Sequence, residues 1–72
     1  MEKLSELLKE FRKKYALTQR DLSKILGCSI VTISSIERNK IKAGTRVVKA
    51  IALATSSDVL EVVKLNENNK QI

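Results

Sequence analysis

Residues Leu17–Lys40 read LTQRDLSKILGCSIVTISSIERNK, and the rest of the chain is arranged around this segment. Thr18 is a helix N-cap, and Asp21, three residues on, is the returning partner of a capping box. Leu17 and Leu22 bracket the same start at the spacing of a hydrophobic staple. Leu22, Ile25 and Leu26 form the inward stripe of this helix, and Gly27 supplies the left-handed residue that ends it. Only Gly27 and Cys28 intervene before Ser29, which caps a further helix whose Ile33 and Ile36 face the core. Asn39 tolerates positive φ and stops that helix.

Two short amphipathic helices joined by so brief a turn are the sequence form of a helix-turn-helix unit, with the second helix held out for a partner. Before it, Leu4, Leu7, Leu8, Phe11 and Tyr15 repeat at helical spacing and predict a first helix from about Lys3 to Lys14. After it, Thr45 caps a fourth helix with Val47, Ala50, Ile51 and Ala54 buried, and Ser56 caps a fifth over about Ser57–Leu65. The fifth helix has Asp58 near its positive end, and its Val59, Leu60, Val62 and Val63 exceed what one face of a short helix needs. The polar run NENNKQI from Asn66 is expected to fray. The chain thus reads as all-α, with one five-helix domain over residues 1–65 and a short polar tail over 66–72.

A chain of 72 residues buries only about 60% of its unfolded surface, so it is short of core and calls for a staple or a partner. Cys28 is alone and histidine is absent, so neither an internal disulfide nor a zinc site is expected, and no cofactor is implied. The opening MEKLSELLKE interleaves charges with leucines, which reads as neither a signal peptide nor a membrane span. A reducing, cytoplasmic setting is expected. The net charge is +6, but residues 1–11 sum to −1 and residues 47–72 to zero, so residues 12–46 carry +7. That segment suits a polyanion whose counterions are released on binding, although a merely solvated basic surface has the same composition.

The helix after Ser29 narrows the choice. With Ile33 and Ile36 inward, Val31, Ser34, Ser35 and Arg38 lie on the opposite side and Ile30 and Thr32 at the edges. Short side chains there let a helix backbone approach the floor of a major groove, where serine bonds either kind of base edge and valine packs on a thymine methyl. On these residues alone, Ser34 and Ser35 read equally as ordinary solvent-facing side chains.

The whole stretch resembles the phage repressor and Cro-like helix-turn-helix family, also called the Xre family, and the likeness runs over roughly residues 4–65. It rests on the Leu17-Thr18-Gln19 entry, the Leu22…Leu26-Gly27 ending, Ser29 as cap, and Ile33…Ile36-Glu37 followed by a turn. The resemblance implies a compact lambda-repressor-like domain that binds double-stranded DNA as a transcriptional regulator, expected to be a repressor. It implies that Gln19 grips a phosphate and buttresses the recognition helix, and that Ile30, Val31, Ser34 and Ser35 read bases. By the same likeness Ser29 and Thr32 meet the DNA backbone, and Arg38, Lys40, Lys42 and Arg46 clamp flanking phosphates. Arg12 is expected to reach phosphate from the first helix, and Glu37 to be a structural partner. The chain departs from the family pattern with Asn39 and Ala54 at common glycine positions, no proline near Gly44, and apolar Ile30 and Val31 in place of polar base readers.

Catalysis finds little support without histidine: Glu2, Glu6 and Glu10 form a surface stripe, and Cys28 suits a small packed thiol. The rival reading is a protein-interaction module on the same scaffold, an antitoxin or anti-repressor binding a protein partner through Ile30, Val31 and the valines of the fifth helix. For DNA, a homodimer matches a palindromic operator with half-sites about one helical turn apart. Val59, Val62 and Val63 are expected to supply its seam, or else simply to close the monomer core.

Overall fold

The computed structural model describes residues 1–70 and contains five helices: α1 Leu4–Lys14, α2 Gln19–Leu26, α3 Ile30–Glu37, α4 Thr45–Thr55 and α5 Val59–Asn68. No strand occurs among the described residues, and no helix among them is long and apolar enough to cross a membrane. α3 packs on both α1 and α2, α2 also on α4, and α5 closes the molecule against α4 and α1. Every helix sends a fully buried side chain inward: Leu4, Leu8, Leu22, Ile33, Ile36, Ile51 and Val62. Each contributes about 1.5–3 kcal/mol by leaving water. Helices of two or three turns are marginal alone, so this shared core is what keeps them helical.

Some apolar positions lie elsewhere than the periodicity suggested. Ile25 is half exposed, because the two turns of α2 turn Leu22, Ser23 and Leu26 inward. Tyr15 falls beyond the end of α1 and lies on the surface, its ring 5.0 Å from that of Phe11 and 5.4 Å from Lys14 Nζ. In α4 the buried set is Val48, Ile51 and Ala52, with Val47, Ala50 and Ala54 only half-buried.

The start of α2 forms as its sequence dictates: Thr18 Oγ1 accepts from the Asp21 N–H and Asp21 Oδ2 accepts from the Thr18 N–H, both at 3.0 Å. Those bonds from Thr18 hold the Asp21 carboxyl below its usual range. Two expected caps are corrected. Gly44 precedes α4 and Thr45 is its first helical residue. Asp58, not Ser56, caps α5, its Oδ1 accepting from the Leu60 N–H at 2.8 Å.

Ser56 instead ends α4, and in doing so follows a rule shared by the first four helices. Each closes on a left-handed residue: Ala16 (φ 53°), Gly27 (68°), Asn39 (59°) and Ser56 (55°). The next residue's N–H then donates to a carbonyl five positions back: Leu17 to Arg12 (2.8 Å), Cys28 to Ser23 (3.1 Å), Lys40 to Ser35 (2.9 Å) and Ser57 to Ala52 (2.9 Å). This bond satisfies a carbonyl that would otherwise be left open and reverses the chain sharply enough to pack the next helix.

A polar cluster locks α3 in place. Glu37, 4% exposed, accepts from Arg12 Nε at 2.7 Å and Nη2 at 2.8 Å, and from Gln19 Nε2 at 3.0 Å. Arg12 Nη1 donates to the Leu17 carbonyl at 3.1 Å, so α1, the α1–α2 turn, the first residue of α2 and the last of α3 meet at one carboxylate. The hydrogen bonds to Glu37 raise Arg12 above the ordinary arginine value.

The expected fraying from Asn66 is also corrected. α5 runs to Asn68, and Asn69 is 2% exposed with its amide hydrogen-bonded on both sides, because these side chains satisfy backbone groups that the helical core leaves open. The last two tail positions, 71 and 72, lie outside the described residues.

Three substitutions probe these contacts through stability. A Cβ at Gly27 would meet nothing within 4 Å, so Gly27→Ala carries only the backbone cost and should destabilise by about 1 kcal/mol. Ala16→Gly should gain about 0.5–1 kcal/mol by relieving the same conformation. Urea midpoints that shift the same way for both variants would contradict this role of the left-handed helix ends. Glu37→Ala should cost about 3 kcal/mol, the low end for breaking a buried pair because Arg12 keeps some access to water. Chemical denaturation showing a decrease under about 1 kcal/mol would mean that the cluster does not hold α3.

Candidate nucleic-acid interface

α3 starts where Ser29, in extended conformation, caps it: its Oγ accepts from the Thr32 N–H at 3.0 Å and lies 3.0 Å from Thr32 Oγ1. The two hydroxyls thus sit together at the positive end of the helix dipole, the surroundings in which phosphate oxygens are favoured. Along the outer side of α3, Val31 is 74% exposed, while Ile30, Ser34 and Ser35 are half-buried. The one charged residue within the helix, Glu37, is turned into the core. What α3 presents is therefore short, uncharged and part apolar, bounded at its C-terminal end by exposed Arg38, Lys40 and Lys42. None of these three forms a salt bridge among the described residues.

Neighbouring elements fix the attitude of α3. Gln19, half-buried at the first position of α2, spends one amide N–H on Glu37 and so braces α3 from the side. Arg46 Nη2 donates to the Gly27 carbonyl at 2.8 Å, tying the start of α4 to the turn between α2 and α3. Within that turn Cys28 is half-buried, and burial pushes its thiol up against the opposing pull of Arg46.

The structure thus collects Gln19, Ser29, Ile30, Val31, Thr32, Ser34 and Ser35 on or beside one helix, with Arg38, Lys40, Lys42 and Arg46 at its flank. Arg12 does not join them as a free cation. Its guanidinium points inward at Glu37 and Leu17, because a buried carboxylate without a cation is far costlier than a solvated arginine. The valines expected as a seam separate as well. Val62 has no exposed surface and closes the monomer core, Val63 is half-buried, and Val59 is exposed.

Sequence reading missed Ser23, Asn66 and Asn69. Ser23 is buried in α2 because its hydroxyl donates to the Arg20 carbonyl at 2.7 Å. Asn66 and Asn69 stand three apart and so share a face of the chain, a signal available in the sequence but indistinguishable there from a solvated polar run.

Comparison with known proteins agrees with this geometry. The helix-turn-helix family model matches residues 8–62. An ImmF control region 10 kDa protein of Bacillus phage phi105 is 35% identical over 65 residues, covering 90% of this chain and 71% of that protein. No solved structure gives a significant match. With five helices in the expected order, a capped α3 and a family match over most of its length, the chain belongs to the Xre-type helix-turn-helix family, a family of DNA-binding regulators and not of enzymes.

Proposed function

We propose that the chain is a transcriptional repressor that reads the major groove of a palindromic operator with α3, acting as a homodimer. The observation that carries this reading is the outer face of α3: three short, uncharged side chains, Val31, Ser34 and Ser35, with Ile30 at its edge, set beside a cluster of exposed cations. A face of that kind lets the helix backbone come near base edges, while Arg38, Lys40 and Lys42 neutralise phosphates beyond its C-terminal end. Gln19 and the hydroxyls of Ser29 and Thr32 set the register through phosphate contacts that carry no sequence information. Arg12 acts indirectly, by holding Glu37 and hence the angle of α3. The control-region name of the phage relative supports a regulatory role.

The apolar patch formed by Leu53 at the end of α4 with Val59 and Leu60 at the start of α5 is the seam of the dimer. Leu60 is 70% exposed and Leu53 84%, and a second copy related by a two-fold axis would cover both. Selection of bound sequences from random duplex DNA, repeated at two salt concentrations, tests the reading as a whole. An inverted repeat is expected; recovery of no preferred sequence would overturn it.

Single substitutions separate the roles. Gln19→Ala and Arg38→Ala should weaken binding to operator and random duplex alike, with the salt slope reduced by about 1 for Arg38. Val31→Ala and Ser35→Ala should change discrimination by about 1–3 kcal/mol at a single base pair, read by competition against singly substituted operators. For the seam, Leu60→Lys should give a folded monomer in sedimentation equilibrium, whereas Val62→Lys should unfold the chain. A Leu60→Lys protein that stays dimeric would place the interface elsewhere.

A further inference from the structure

The loop between α3 and α4, residues 38–44, has no regular secondary structure and so no backbone ladder of its own. Its first residues are tied back to α3, the Lys40 N–H donating to the Ser35 carbonyl at 2.9 Å, and further anchors along it come from the other end of the chain. Asn66 closes both backbone groups of one residue: Nδ2 donates to the Ala43 carbonyl at 2.9 Å and Oδ1 accepts from the Ala43 N–H at 2.7 Å. Asn69 Nδ2 donates to the carbonyls of Ile36 at 3.1 Å and Ile41 at 2.9 Å, while its Oδ1 accepts from the Ser5 N–H at 3.0 Å. The Lys70 N–H donates to Asn39 Oδ1 at 2.9 Å.

The anchored positions alternate with the charged ones. Asn39, Ile41 and Ala43 are the residues held from behind, and exposed Arg38, Lys40 and Lys42 each immediately precede one of them. An unanchored loop would give up conformational freedom each time its cations gripped phosphates, and that cost would weaken binding. A loop already held in one shape avoids it.

We propose that Asn66 and Asn69 are positioning residues for phosphate binding, which preset the loop so that Arg38, Lys40 and Lys42 project together toward the DNA backbone. The proposal rests on the DNA-binding reading above. Neither asparagine touches DNA; each acts through the loop backbone.

Asn66→Ala in the full chain is the decisive variant, since both bonds of that side chain go to Ala43. Affinity for a random-sequence duplex should fall about fivefold to tenfold, and the log–log salt slope should shrink by about 0.9 for each phosphate that the loop no longer neutralises. Backbone relaxation at Lys42 and Ala43 should move from rigid order parameters near 0.85 toward the flexible range, below about 0.6. In a background in which Arg38, Lys40 and Lys42 are all alanine the same substitution should change affinity less than about twofold, because the cations it positions are gone. A loop that stays rigid, a loosened loop with an unchanged salt slope, or equal decreases in both backgrounds would each overturn the proposal. Asn69→Ala should act in the same direction, and if it fails to fold, Asn66→Ala decides alone. Failure of the unsubstituted chain to bind any duplex is a different result: it overturns the DNA-binding reading and the phosphate role with it, and the relaxation measurement still decides whether Asn66 holds the loop.

Discussion

A single buried carboxylate sets the attitude of α3, and through it the placement of everything that borders that helix. Glu37 sits at the last position of α3, almost without access to water, and a charge so placed is tolerated only where donors surround it. Three N–H groups do so, two from Arg12 and one from Gln19. Because those donors come from the far end of α1 and the first residue of α2, α3 cannot slide or tilt without breaking charged hydrogen bonds in a poorly solvated place. The arrangement also empties the outer face of α3 of charge: the helix carries one acid, and that acid is turned inward.

The same logic runs outward from this point. The chain is too short for long connections, so each reversal must be tight, and four successive helices meet that demand with a left-handed residue and a hydrogen bond to a carbonyl five positions back. Only one of the four is glycine. The others, Ala16, Asn39 and Ser56, hold the conformation against its intrinsic cost because the helices on either side are fixed by the shared core and by Glu37. Arg46 and the two asparagines then secure the two loops that border α3, one from α4 and one from the region around the end of α5.

The function proposed here uses this rigidity. A helix that reads base edges has to be held at a set depth and angle, with cations placed beside it where phosphates would lie. Val31, Ser34 and Ser35 stand on a helix braced by α1 and α2, and Arg38, Lys40 and Lys42 on a loop anchored at alternate residues. The exposed apolar side chains Leu53, Val59 and Leu60 lie on α4 and α5, so neither the outer face of α3 nor the basic loop is needed to cover them.

Reading along the chain is enough to find the helices and most of the local signals that start and stop them. Thr18, Asp21, Gly27, Ser29 and Asn39 act on backbone groups within a few residues, so their effect is written in the order of the residues. The inward direction of α3 is legible in the same way, because Ile33 and Ile36 leave little choice at about 100° per residue. Which partner each polar or borderline side chain finds is settled only when the helices assemble. Arg12 and Glu37 are 25 residues apart and Asn66 and Ala43 are 23 apart, separations over which no local pattern signals a contact. Whether an arginine faces solvent or a buried carboxylate, and whether Val62 is core while Leu60 is surface, depends on what packs opposite. Burial and pairing energies arise only once distant segments meet, so no window of neighbouring residues contains them.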